Sequence, residues 1–594
     1  MEANTEVNGS SRRKFLKQGA VAVAVPAGAL LGGALPGTAS AATLAGGDGT
    51  LRPGLAPDLV LVNGEVLTMD DKLPRAQALA IIDGRIAAVG SNADLRALAG
   101  PGTRVIDLQG RTVIPGLTDA HTHAIRGGLT YHQETYWLDV TSLRDGLALI
   151  TQDALERASD EWVAVVGSWH PNQFVERRAP TVAELSSASP TNPVYVQYLY
   201  DYAVLNESGI RSLGLNESTT PPVPGIQVER DGSGRATGRL LGTVGSSIGP
   251  FNALVAKIFP ATSEMQKASL AGYLAELASC GITGFIDESA GPEAAYETLF
   301  AVRDQGGLPL RAGYRVPAQT AGDESSFFQS LMAFRAPRDP DGLTPFMGIG
   351  EVLNFGTFDE TLLTPGFQAP ASSLADLETI ATLAATLQVP VETHAYTDDA
   401  AAQILDVFEK VNQTYPIGNL RWVMAHLTTG TIATVRRMKA LGMALGVQMG
   451  PYYEAPTILA EDGAEVAERA IARIALDEGV LVAGGTDSTR IGDFRVWPAL
   501  QYQVTGASAG NAFVRPPSQR LTRMEALKLY TLNSAWLAFG DKDRGSLEPG
   551  KLADLAVLDR PYLQVPASQI GKIRSVLTLL GGFPVHDQFS WIPS

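Results

Sequence analysis

Two histidines one residue apart, His121 and His123, stand at the end of an apolar run in Asp119-Ala120-His121-Thr122-His123. Side chains two apart on a strand point to the same face, so a strand here would turn both imidazoles inward together. Neutral imidazoles converging at a strand end are good ligands for Zn²⁺ or a similar divalent ion. Such a pair recurs by chance, and its weight comes from three further positions. His394, His426 and Asp487 each close another short apolar run. The chain has seven histidines, and four of them at such ends is more than packing accounts for.

The runs that must position these groups form a pattern. Short apolar stretches recur over residues 112–119, 282–288, 310–316, 346–353, 389–394, 420–426, 443–449 and 480–487, with helical stretches between them. Eight such strands alternating with helices predict a parallel (β/α)₈ barrel, whose strand ends meet at one catalytic face. Residues 127–271 break the rhythm and read as an insertion with its own strands near 162–166 and 194–198. Before and after the barrel the texture changes. Short strands separated by Asn63-Gly64 and Asp83-Gly84 turns fill residues 58–112, and a matching stretch covers 545–559, which predicts an antiparallel sheet domain built from both ends.

The amino terminus reads as an address. Arg12-Arg13-Lys14-Phe15-Leu16-Lys17 precedes an apolar run from Ala20 to Leu35, and Ala39-Ser40-Ala41 supplies small residues for cleavage. That order describes a secretory signal of the twin-arginine kind. The run is too short and too rich in Gly and Ala to make a good membrane anchor. The expected organisation is therefore a signal over 1–41 and a linker over 42–57, then the leading segment of the sheet domain over 58–112. The barrel with its insertion follows over 113–535, and the closing segment of the sheet domain covers 536–594. Export to the periplasm or beyond follows, with the twin-arginine machinery as a partner. The single cysteine, Cys280, excludes an intramolecular disulfide and a thiolate cluster. A net charge of -16 with no basic cluster beyond the first twenty residues argues against nucleic acid as a partner.

Several segments together resemble the amidohydrolase superfamily, in the branch that includes N-substituted formamide deformylases. They are residues 58–70, Val113-Ile-Pro-Gly-Leu-Thr-Asp-Ala-His-Thr-His123, Gly281-Ile-Thr283, His394-Ala395, Ala425-His426, Gly485-Thr486-Asp487 and residues 545–559. The resemblance implies a distorted (β/α)₈ barrel plus a small β-sandwich. It also implies that His121 and His123 bind one metal, and that His394 and His426 bind a second or polarise the substrate carbonyl. Asp487 would touch the metal and act as general base. A divalent ion, Zn²⁺ foremost and one or two per chain, lowers the pKa of water from roughly 16 to roughly 7. Asp487 can then take that proton and pass it to a leaving nitrogen. Asp119 reads as an orienting group rather than a ligand.

Where many relatives carry a carbamylated lysine on the fourth strand, Phe346-Met-Gly-Ile-Gly-Glu351 offers a glutamate. Glu351 supplies the same carboxylate oxygens and is assigned as a ligand; the alternative is a single-metal site with Glu351 in a polar wall. Ala256-Lys257-Ile258-Phe259 mimics the missing lysine motif but precedes the second barrel strand, so it is set aside. Asp398 reads as structural, as a helix cap. His170, Trp169 and Tyr452 are candidates for contact with a small-molecule substrate, against surface or core roles for each. The expected reaction is hydrolysis of a carbon–nitrogen bond in an amide, formamide or cyclic amide. An ester or carbamate hydrolase at the same centre, and a metal-binding receptor without catalysis, are the alternatives. A homodimer is one assembly open to the chain.

Overall fold

The computed structural model describes residues 56–216, 220–242, 248–288, 291–360 and 365–592. The expected signal over 1–41 and all but the last two residues of the expected linker lie outside them. Among the described residues no helix is long and apolar enough to cross a membrane.

The described chain divides into two compact units. The larger is α/β. Its eight parallel strands fall into two four-stranded sheets. Leu117–Thr122, Ile282–Glu288, Arg311–Val316 and Phe346–Ile349 pair in that order, and Glu392–Ala395, Val423–His426, Ala444–Val447 and Val482–Gly484 pair in theirs. Parallel neighbours need a crossover, and helices such as Ala371–Thr386, Asp398–Asn412 and Ile432–Ala440 supply it. Nearly every strand residue is buried, which is why the runs are apolar on both faces rather than alternating. A parallel bridge joins Ile349 to Val391. At the other end, the amides of Thr486 and Asp487 both donate to His121 O, at 3.1 and 3.0 Å.

Apart from Ile282–Glu288, the strands are shorter than the apolar runs that announce them. Glu351 and Asp487 lie two and three residues past the ladders of their strands. They have left the sheet, which frees their side chains to turn back toward its end. The first run also breaks in two. Thr112–Pro115 and Leu117–Thr122 belong to different sheets, with Gly116 between them. A Cβ on Gly116 would sit 2.1 Å from Thr283 Oγ1, so only glycine lets the chain pass there. The expected boundary after residue 112 consequently falls inside a strand.

Thr112–Pro115 pairs antiparallel with Leu555–Leu558 and parallel with Glu65–Leu67, so both ends of the chain share one six-stranded sheet. A four-stranded sheet, in the order Arg85–Gly90, Ala78–Ile82, Leu59–Val62, Arg104–Asp107, contributes to the same buried cluster. Leu59, Leu61, Leu79 and Ile81 from one sheet meet Val66, Val113, Leu555 and Leu577 from the other. Burial of this kind contributes about 25 cal/mol per Å² of apolar surface.

The smaller unit gathers Gly127–Tyr273 and Ala301–Gly307. Its mixed five-stranded sheet runs Gln227–Arg230, Ala236–Leu241, Tyr202–Leu205, Val194–Tyr198, Val163–Val166. Trp137, Trp169 and Phe174 fill its core. The segment Ala256-Lys257-Ile258 lies here, on the helix Ile248–Ile258. Lys257 donates to Pro222 O at 2.8 Å.

Candidate metal centre

Glu351 reaches its position through Gly350, whose φ is +136°. A Cβ on Gly350 would lie 2.2 Å from Glu392 O, so the residue before the carboxylate has to be glycine. From there the carboxylate divides its two oxygens. Oε1 contacts His394 Nδ1 and lies 2.9 Å from His426 Nε2. Oε2 lies 3.8 Å from His121 Nε2 and 3.9 Å from His123 Nε2.

Asp487 faces the same space from the loop after the eighth strand. Its Oδ1 is 3.2 Å from His123 Nε2 and 3.8 Å from His121 Nε2, and its Oδ2 is 4.0 Å from His426 Nδ1. Asp487 and His426 both hold left-handed backbone, at φ +55° and +70°. Non-glycine residues adopt it rarely, and functional sites concentrate it. The loop is pressed onto the first strand, because a Cβ on Gly485 would meet His121 Cβ at 2.6 Å. Asp119 completes that clamp, accepting from His121 N, Thr486 N and Thr486 Oγ1 at 3.2, 3.0 and 2.6 Å. Burial pushes the Asp119 carboxyl up to about 7 against those donors.

Potential ligand atoms therefore gather in overlapping sets: His121, His123 and Glu351; His121, His426 and Asp487; Glu351, His394 and His426. The ring nitrogens test whether a cation fits. His121 Nδ1 sits 2.5 Å from Glu392 Oε1, His123 Nδ1 meets Glu288 O, and His394 Nε2 is 2.6 Å from Glu360 O. At His121 that acceptor draws the N–H to the outer nitrogen, while the inner nitrogens of His123 and His394 face the carboxylates of Asp487 and Glu351. For His121 the inner Nε2 is buried and has no hydrogen-bond partner. The donor set and the unpartnered His121 nitrogen fit a divalent cation.

Charge leads to the same place. Burial opposes a charged imidazole at His121 and His394, yet the carboxylates of Glu351, Glu392 and Asp359 outweigh it, holding His394 up to about 10 and His121 well above the usual range. Burial likewise opposes ionisation of Glu351, but His394 and His121 hold it well below its usual range. Asp487 is also lowered against burial, mainly by His123 and His121. Both carboxylates are anionic, and the charge that draws protons onto the histidines is charge that a cation would neutralise.

Residues 104–586 match the profile of the amidohydrolase family. The chain belongs to the amidohydrolase family. Among its relatives, Protein LONG AFTER FAR-RED 3 of Arabidopsis thaliana is 27% identical over 520 residues, 85% of this chain and 88% of that one. N-substituted formamide deformylase of Arthrobacter pascens is 25% identical over 549 residues, 88% of this chain and 97% of that one. An uncharacterized metal-dependent hydrolase from Pyrococcus horikoshii superposes with a TM-score of 0.60 at 21% identity, covering 86% of this chain and 99% of its own. Atrazine chlorohydrolase TrzN of Arthrobacter aurescens, complexed with zinc, gives 0.50 at 18% identity, covering 89% and 95%. These structural likenesses establish a shared fold.

Around the centre of this amidohydrolase-family chain stand charged residues that no sequence motif marks. Arg315 on the third strand bonds Glu288 and reaches Glu392 Oε2 at 2.7 Å. His121, Glu288 and Glu392 also lie close enough to suggest a ligand set, but Arg315 already occupies the two carboxylates, so this trio supports the histidines rather than holding an ion. Burial raises Glu288 to about 8 even so. Asp359 receives the amides of Tyr396 and Thr397 and lies 3.4 Å from His394 Nε2. The available signal was Glu392, two residues before His394 on one strand and therefore on its face.

The remaining candidates divide between the two units. Trp169 is fully buried in the core of the smaller unit, where its indole N–H donates to Gln197 O at 2.6 Å, a packing role. His170 belongs to that unit too. It is buried rather than on the surface, its Nδ1 accepts from Asn172 N at 3.0 Å, and burial lowers it to about 4. Tyr452 packs edge-on to Tyr502, 5.6 Å away, in the larger unit. The cap of the helix Asp398–Asn412 is Thr397, while Asp398 accepts from Thr431 N and Thr434 Oγ1.

Proposed function

We propose that this chain is an exported, metal-dependent hydrolase that cleaves a carbon–nitrogen bond in an amide, formamide or cyclic amide. One observation carries the reading: a single carboxylate, Glu351, divides its oxygens between two pairs of histidines, with Asp487 facing the same space. In this reading His121, His123, Asp487 and Glu351 hold one ion, and Glu351, His394 and His426 hold a second, with Zn²⁺ the ion of first choice. Bound there, such an ion supplies Lewis acidity toward a carbonyl and acidifies water.

The chain's own residues do the rest. Asp487, held anionic, accepts the proton of the attacking water as the oxygen–carbon bond forms. It then delivers that proton to the nitrogen as the carbon–nitrogen bond breaks. In the single-ion alternative His426 polarises the carbonyl instead of holding a second ion. Asp119, Glu392 and Arg315 keep the ligands in place. The two parallel sheets are read as one closed, distorted (β/α)₈ barrel, supported by the Ile349–Val391 bridge and the amides donated to His121 O. The two terminal sheets are read as a small β-sandwich, supported by their common buried cluster. Export rests on the twin-arginine pattern alone.

The test is turnover of an amide and ester panel by the full chain reconstituted with Zn²⁺. Asp487→Asn should keep at least some of its metal yet lose turnover by about 10²–10⁴-fold, the usual contribution of a positioned acid–base group. Unchanged turnover would overturn the assignment, and an ester-only profile would move the reaction class.

A further inference from the structure

The geometry points to a carboxylate-recognition subsite in the pocket beside His426, which makes the substrate class an amide carrying a free carboxylate near its scissile bond. The inference rests on the hydrolase reading and deepens it.

The pocket is lined by His426, Thr428, Gln448, Ile471, Tyr502 and Arg515, among others. Thr428 Oγ1, Gln448 Nε2, Tyr502 OH and Arg515 Nε are all buried there, and none has a hydrogen-bond partner among the described residues. About 90% of buried polar groups are partnered in folded proteins, so four orphans around one cavity need a common explanation. All four can donate. For Gln448 the orientation is fixed, because its Oε1 accepts from His426 N at 2.9 Å, which turns the amide nitrogen the other way.

Arg515 supplies the charge. It is 8% exposed, with its guanidinium carbon 5.1 Å from the Tyr502 ring centroid. Other buried arginines of this unit are paired: Arg315 with Glu288 and Glu392, Arg495 with Asp493, Arg311 with Asp554. Arg515 forms no such pair among the described residues, and a buried charge without a counter-ion is costly. The site is also built to hold its shape. The helix Val496–Thr505 ends at Gly506, whose N–H donates to Tyr502 O at 2.7 Å and whose O accepts from Arg515 N at 3.0 Å. One guanidinium balances one negative charge, and its planar fork suits a carboxylate. His426 belongs to both this pocket and the Glu351 cluster, so the anion would sit one side chain away from the reacting carbonyl.

The test pairs N-acetylphenylalanine, both enantiomers, with N-acetylphenethylamine, which lacks only the carboxylate. Amine release is followed with the Zn²⁺-loaded full chain. The wild type should prefer the acid, and in Arg515→Met the acid-to-neutral ratio of kcat/KM should fall roughly 10- to 100-fold, the range for a hydrogen bond to a charged group. Arg515→Lys should restore some of the ratio, and Tyr502→Phe should lower it less, which keeps the test open if Arg515→Met folds poorly. A binding arm reads the pocket without turnover: N-acetylphenylalanine should raise the melting temperature of the wild type and not that of Arg515→Met. Arg515-dependent protection without turnover of any amide would sustain the subsite and sink the hydrolase reading. Equal use of both substrates, unchanged in the Arg515 variants, would overturn the subsite and leave the hydrolase standing. Protection by phenylphosphonate in preference to the carboxylate would also overturn it.

Discussion

Glu351 Oε1 lies 2.9 Å from His426 Nε2, while its Oε2 lies 3.8 Å from His121 Nε2. These histidines end different parallel strands, in different four-stranded sheets, so one carboxylate ties the two sheets together at the point where an ion would sit. If Glu351 bridges two ions, the wild type should carry two per chain and Glu351→Ala one or none, by elemental analysis of the purified proteins. One ion in both would show a mononuclear site.

Glu392 holds His121 through Nδ1 without touching the ligand space itself. Glu392→Gln keeps the shape but removes the charge that fixes the tautomer. Losses of about 10–100-fold in metal affinity are typical for such outer partners, and a chelator competition would measure the change. Affinity equal to wild type would show that His121 needs no such support.

Chelation should also lower the melting temperature. An ion at 1,000 times its dissociation constant stabilises the folded chain by about 4 kcal/mol, so the shift should grow with added Zn²⁺ and vanish after stripping. A melting temperature indifferent to both treatments would mean that the cluster holds no structural ion.

His170 offers a pH test outside the metal cluster. Burial lowers it to about 4 from 6.5, so in the folded state it stays neutral where the unfolded chain would bind a proton. Between pH 6.5 and 4 the unfolded state binds more protons, and stability falls as pH falls. One pKa unit corresponds to about 1.4 kcal/mol, which caps the effect near ~3 kcal/mol. His170→Asn keeps a good capping group for Asn172 N and removes the titration. Its melting temperature should decline less than that of the wild type over this window, and parallel curves would refute the assignment.

Export gives the last prediction. Arg12→Lys with Arg13→Lys should leave the full chain inside cells that otherwise export it, read by fractionation and blotting. Normal export of the double variant would remove the twin-arginine reading.

Much of the centre was legible because short buried strands put chemistry at their ends. His121, His123, His394 and His426 stand at or just past the ends of apolar runs; alternation puts the first two on one face, and the parallel strand order brings the others near. Glu351 and Asp487 were legible as residue types, but not as residues already past their strands. A run of apolar letters does not show where the ladder stops. Arg315, Glu288 and Glu392 were missed because a charge inside a strand looks like noise until its counter-charge on a neighbouring strand is seen. Arg515 and Tyr502 lay further out of reach, since their meaning depends on hydrogen bonds that Arg515 Nε and Tyr502 OH do not make among the described residues. The split at Gly116 was hidden for a related reason: a continuous apolar stretch does not reveal a change of sheet.

That split governs when the centre can be finished. The strand bearing His121 leaves the terminal sheet across one glycine, and Thr112–Pro115 finds its antiparallel partner only in Leu555–Leu558. Gly116 N is likewise held by Asp554 O. During synthesis the first histidines emerge early, beside Glu65–Leu67 and ahead of Ile282–Glu288, but the antiparallel partner of the strand behind them follows only much later in the chain. Pairing across such a span is slow. The frame behind the first histidines is therefore closed by a segment far along the chain, long after the ligands it supports have been made.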